Sequence, residues 1–109
     1  MADVIKPLGQ LAAAATTAET LYTVPALAQT TTSSLIICNR TVGSLTYRIS
    51  VHVAGAAAND KQYLYYDKAL AANDTFTAVL GLTLGPADVV KTYASATGLT
   101  FNLYGVETS

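Results

Sequence analysis

Apolar residues recur at every second position through most of this chain. In "LTYRISVHV", Leu45, Tyr47, Ile49, Val51 and Val53 alternate with Thr46, Arg48, Ser50 and His52. A period of two sends alternate side chains to opposite faces of a strand. Ile49 and Val51 are therefore expected in a core, and Arg48, Ser50 and His52 outside it. "LTFNLYGV" repeats the pattern, with Leu99, Phe101 and Leu103 opposite Thr100, Asn102 and Tyr104. "SLIIC" is a continuous apolar run of strand length, as in a central strand covered on both faces. "QYLYYD", "TFTAVL" and "DVVKTYAS" add windows rich in β-branched and aromatic residues, which sheets favour. The intervening stretches carry turn chemistry. "NRTVGS" reads as a hairpin-like turn and "AGAAANDK" as a longer loop. "AANDT" offers Asn and Asp, which tolerate left-handed backbone, and "LGPADV" fixes φ at Pro86. Strands are predicted over 20–24, 33–39, 45–54, 61–67, 75–80, 82–84, 88–95 and 99–106. Short strands at this spacing predict an all-β fold: a single β-sandwich, Ig-like or jelly-roll-like, of about seven to eight antiparallel strands spanning 20–109.

Residues 1–19 break the pattern. "MADVIKPLGQLAAAATTAE" is rich in Ala and Thr and does not alternate. A secretion signal followed by the "PALAQ" site is rejected, because Pro7, Gly9 and Gln10 interrupt the apolar stretch such a signal requires. The segment is expected to be an N-terminal arm, extended or helical over Leu8–Ala15. Ala and Thr cannot fill a core, whereas Val4, Ile5, Leu8 and Leu11 suffice to dock on another subunit. An arm held in place must find such a contact to offset its ordering entropy.

Composition sharpens the picture. Charged residues make up 12% of the 109 positions and apolar ones 51%, with a net charge of −1. So few charges on a small domain leave a neutral, partly apolar exterior, which points to a protein that assembles. The absence of a Lys/Arg cluster argues against nucleic acid, and no apolar run is long enough to span a membrane as a helix.

Candidate chemistry is sparse. His52, the one histidine, is expected on the exposed face of its strand, with no partners at metal-ligand spacing. Cys38, the one cysteine, is expected to be a buried, inert thiol. Asp60, Asp67, Asp74 and Asp88 fall at turns or strand ends, where Asp bonds locally. Asn39 and Asn73 match the glycosylation sequon, but in turns that favour Asn anyway. No catalytic, metal or cofactor residue is assigned, and the reading is a non-enzyme. Tyr63, Tyr65 and Tyr66 are the candidates for an interface, since tyrosine buries area while its hydroxyl stays paired. Strict alternation puts Tyr63 and Tyr65 on one face and Leu64 and Tyr66 on the other.

The chain resembles a group of small β-sandwich virion proteins encoded by tailed bacteriophages. The elements that carry the resemblance are "LYTVP", "SSLIICNR", "YRISVHVAGA", "YLYYDKALAANDTF", "LGLTLGPADVV" and "LTFNLYGVE", spanning Leu21 to Glu107. The resemblance implies a virion structural protein. The leading expectation is a capsid decoration (cement) protein on the capsid surface, bound to the major capsid protein at coat-protein junctions and stabilising the head. It implies a homo-oligomer, with a trimer the expected number. The alternative is a tail, fibre or baseplate module that joins virion proteins or contacts a host glycan. A carbohydrate-active enzyme on a β-sandwich is the third reading, weakened by carboxylates that nothing in the sequence brings together.

Overall fold

Nine strands follow one another along the computed structural model, which describes residues 3–109. They are β1 (Asp3–Ala12), β2 (Glu19–Thr23), β3 (Gln29–Asn39), β4 (Leu45–His52), β5 (Tyr63–Leu70), β6 (Thr75–Ala78), β7 (Thr83–Leu84), β8 (Val89–Ala94) and β9 (Leu99–Thr108). Their antiparallel ladders are nested. β1 pairs with β9, β2 with β8, β3 with β6 and β7, and β4 with β5. The chain is thus one long hairpin wound on itself. Winding adds the β3–β9 and β4–β8 ladders and divides the strands between two sheets. Sheet one runs β1-β9-β3-β6, with β7 also on β3; sheet two runs β2-β8-β4-β5. This nested order is the plan of a jelly roll rather than of an Ig-like sandwich.

The core lies where the alternating faces meet. Leu35, Ile37, Phe101 and Leu103 from sheet one face Tyr47, Ile49 and Val90 from sheet two, each at most 1% exposed. Full burial of such side chains contributes about 1.5–3 kcal/mol each. Tyr47 meets Phe101 edge-on with ring centroids 6.4 Å apart, and Tyr65 meets Phe76 at 5.9 Å, so aromatic contacts cross between the sheets. Asn39 holds one corner. Its amide nitrogen donates to the carbonyls of Gly43, Leu70 and Ala71 at 2.9–3.2 Å, and its side-chain oxygen accepts from the Thr41 N–H at 2.9 Å. "NRTVGS" is therefore not a hairpin turn; it carries the chain from sheet one to sheet two. Asn73 adopts the left-handed conformation its turn suggested, with φ 55°.

The arm expected outside the sandwich is its first strand. β1 lies along β9 from Asp3↔Thr108 to Ala12↔Thr100. Leu8–Ala15 is not helical, and Leu8 and Leu11 pack on this chain's own core, with Ala13 buried beside them. Gly9 follows a bulge, and a Cβ there would collide with the Leu21 carbonyl of β2. Only glycine lets the two strands approach this closely. At the same level, a Cβ on Gly105 would collide with the Thr31 carbonyl beside a second bulge in β3.

Strand β4 also departs from simple alternation. Tyr47 and Ile49 are buried as expected, but Val51 is only half-buried, and Val53 lies beyond the strand, 67% exposed. On the other face Arg48 is half-buried, and Ser50 and His52 are buried at 7% and 4%. Residues 53–62 roof this end of sheet two. His52 Nδ1 bonds the Ala56 carbonyl at 2.9 Å. Asn59 and Gln62 form a reciprocal capping box around a 3₁₀ turn, Asp60–Gln62.

Candidate interaction surfaces

The two outer faces of the sandwich differ in kind. Directly paired residues share a face, so the ladders of sheet one can be read as rows. Ile5, Val106 and Thr31 form one row, and Pro7, Tyr104 and Ser34 the next. Gln10, Asn102, Ile36 and Thr77 form the third, and Ala12, Thr100, Cys38 and Thr75 the fourth. Among the described residues, these four rows carry no charge. Asp3 stands at the margin, where it accepts from the Thr108 hydroxyl at 2.8 Å. The face is neutral, rich in hydroxyl and amide groups, and interrupted by Ile36, Cys38 and Tyr104, all half-buried. Cys38 is therefore not the fully buried thiol expected, and the outer face of β3 is only partly covered.

The outer face of sheet two is charged and aromatic. The Arg48 guanidinium lies 4.2 Å from the ring centroid of Tyr66 and 4.3 Å from that of Tyr93. Its Nε donates to Asp67 at 2.7 Å, which raises the Arg48 pKa further above the ordinary range. Tyr63 meets Tyr66 edge-on at 4.9 Å. This corrects the expected alternation. The β4–β5 register shifts between Tyr47 and Ile49 and again between Ile49 and Ser50. Tyr65 consequently turns into the core beside Tyr47, while Tyr63 and Tyr66 share the outer face.

A buried polar pair lies beside this cluster. A carbonyl only accepts, so His52 Nδ1 donates to Ala56, and Nε2 shares a hydrogen bond with the Ser50 hydroxyl at 2.9 Å. A nucleophile and its base can share such a bond. Here it opens on a depression of about 70 Å³ lined by Arg48, Ser50, His52, Tyr63 and Lys91. Substrate pockets are several-fold larger, about 300–1,000 Å³. The bond's evident work is to close the roof. A wider groove of about 530 Å³, lined by Val51, Val53, Ala56, Lys61 and Gln62, brings no carboxylates or nucleophile together.

Several carboxylates bond within the fold. Asp88 accepts from the N–H groups of Gly85 and Ala54, both at 2.8 Å, and Asp74 accepts from Thr75 at 2.8 Å. Glu107 accepts from the Tyr22 hydroxyl at 2.6 Å and pairs with Lys6 at 3.3 Å, tying β2 to β9 and β1. The Tyr22 bond, aided by Lys6, holds Glu107 below the usual carboxylate range despite some desolvation. Burial, with the Glu107 bond, pushes Tyr22 up to about 12. No group of three or more His, Cys, Asp and Glu is placed to hold a metal among the described residues. No helix among them is long and apolar enough to cross a membrane.

Of the residues expected at an interface, Val4 and Ile5 are exposed on β1, at 48% and 85%. Leu8, Leu11 and Tyr65 face the core, and Tyr63 and Tyr66 lie on the outer face of sheet two. Sequence reasoning missed the neutral rows of sheet one. Part of their signal was present in Thr100 and Asn102, which alternate with Leu99, Phe101 and Leu103 in β9, while the continuous apolar run of β3 hid the rest. No protein-family model, characterised protein or solved structure matches the chain.

Proposed function

We propose that this chain is a virion structural protein, a capsid decoration protein that binds coat-protein junctions through the outer face of sheet one. The observation that carries this reading is the neutral face itself. A partner can close on it without stripping water from a charge, the costly part of forming an interface. The molecule measures 45 × 28 × 19 Å. The roughly 800 Å² per partner of a stable interface fits within the outline of its broad side. The jelly-roll plan, shared by viral capsid domains and lectins, supports the reading by analogy of fold alone. The partners proposed are the major capsid protein and further copies of this chain, with a trimer the arrangement expected.

The second reading is a tail, fibre or baseplate module that contacts a glycan. It is favoured by Tyr66, 58% exposed beside Tyr63 and Tyr93. One feature weakens it: Arg48 already covers a face of the Tyr66 ring, although Asp60, Tyr63 and Tyr66 line a depression of about 290 Å³. Quantitative mass spectrometry of purified particles separates the readings. Copies in proportion to the coat protein are expected for a decoration protein. A few copies per particle would favour the tail module, and absence from particles would overturn both.

A further inference from the structure

We infer that β1 is exchanged between copies of this chain, each copy's first strand lying on the β9 of another. This concerns the chain's contact with itself and stands whether or not the virion reading does. Three observations carry it. β1 is an edge strand of its sheet and, among the described residues, forms a ladder with β9 alone, so moving it disturbs no other ladder. β1 nevertheless cannot be dispensed with. Leu8 and Leu11 cover the core and Ala13 is buried in it, so each sandwich needs one such strand, its own or another's.

The hinge supplies the third observation. Ala14–Ala18 carries the chain from sheet one to sheet two, and all five residues are exposed. Thr16 is held there at φ 50°, by its N–H bond to the Ala94 carbonyl at 2.8 Å. Among the six described non-glycine residues with positive φ, Thr16 is the one that is β-branched, the class for which this conformation is most strained. The hinge contains neither glycine nor proline, and extended it reaches about 17 Å. Straightening it releases Thr16 and delivers β1 to a neighbour with every β1–β9 contact rebuilt, the general route of strand exchange. The docking of Leu8 and Leu11 on another subunit, expected from the sequence, then takes a specific form: they fill the equivalent core of a second copy.

Cross-linking tests this. Gln10 pairs directly with Asn102. Because the Ala13 N–H bonds the Leu99 carbonyl, alternation makes Gln10 and Asn102 a non-hydrogen-bonded pair, whose side chains lie closest. The full chain carrying Cys38→Ser, Gln10→Cys and Asn102→Cys is oxidised and run on a non-reducing gel. Exchange predicts covalent multiples of the chain from the assembled fraction. A bond closed within single chains in every fraction overturns it. A second measurement needs no cysteine. Thr16→Gly removes the strain in the closed hinge and should weaken self-association, read by sedimentation, by about tenfold. Unchanged self-association, or a parent chain that sediments as a monomer at all concentrations, overturns the inference.

Discussion

The two sheets share a core and present opposite exteriors. Beneath, Phe101 and Ile49 are buried alike, at 0% and 1%. Above, sheet one shows neutral rows from Ile5 to Thr75, while sheet two gathers Arg48, Asp67 and Lys91 among tyrosines. Three polar side chains on the outer face of sheet two find partners within the chain, whereas in its core the Tyr47 and Thr92 hydroxyls have none. Arg48 is paired and stacked, and Ser50 and His52 are bonded under the roof. Sheet one keeps side-chain hydroxyls and amides facing outward with little apolar cover. A charged face must give up water when it is covered; a broad neutral face is suited to a partner.

Mutations can break this comparison, beginning with what the faces share. Phe101→Ala should cost about 3–5 kcal/mol and Ile49→Ala about 2–5 kcal/mol in chemical denaturation. A loss below about 1 kcal/mol at either site would mean that one sheet does not line the core as described. The next effect is confined to sheet two. His52→Ala leaves the Ser50 hydroxyl and the Ala56 carbonyl without their partner and should cost about 1–3 kcal/mol. It should also speed amide hydrogen exchange across residues 53–62 and leave sheet one unchanged. Exchange that rises equally in both sheets would show that the roof is no separate unit.

Smaller effects come from titration at the rim joining the sheets. Glu107 has a lowered folded pKa, so its stabilising contribution is present above the ordinary carboxyl range and is lost as pH falls through the folded value. Glu107→Gln should flatten stability against pH in that acid window. At the other extreme, Tyr22 and Tyr47 are both pushed up to about 12, chiefly by burial. Their contribution is present below pH 10 and lost as pH rises through about 12. Ultraviolet titration should show two of the seven tyrosines ionising late, together with unfolding. Seven tyrosines titrating together near 10 would contradict the burial of both rings.

The sequence made most of this fold legible, since period two marks β2 to β9 wherever one face is buried. Its failures have local causes. β1 was missed because a bulge at Pro7/Gly9 breaks alternation and its inward residues include Gly9 as well as Leu8 and Leu11. Tyr63, Tyr65 and Tyr66 were assigned to the wrong faces because two register shifts fall within one short ladder. The burial of Ser50 and His52 depends on a roof that β4's own pattern cannot reveal, although the Asn59–Gln62 capping box was readable as a fixed turn. Low charge was plain in the composition. That the remaining charges avoid one face depends on which strands become neighbours, and the wound topology decides that.

Matched charges on the two faces test the central claim most directly. Asn102→Lys stands in the middle of the neutral rows of sheet one, and Tyr66→Lys stands on sheet two. Each purified variant is added to particles lacking the protein, and the copies retained are counted against the parent chain, with melting checked separately. The account predicts that Asn102→Lys loses more than about tenfold in retention, because its charge must be buried unpaired, while Tyr66→Lys stays within about twofold. Full retention of Asn102→Lys, or a greater loss for Tyr66→Lys, would contradict the assignment of sheet one as the assembly surface.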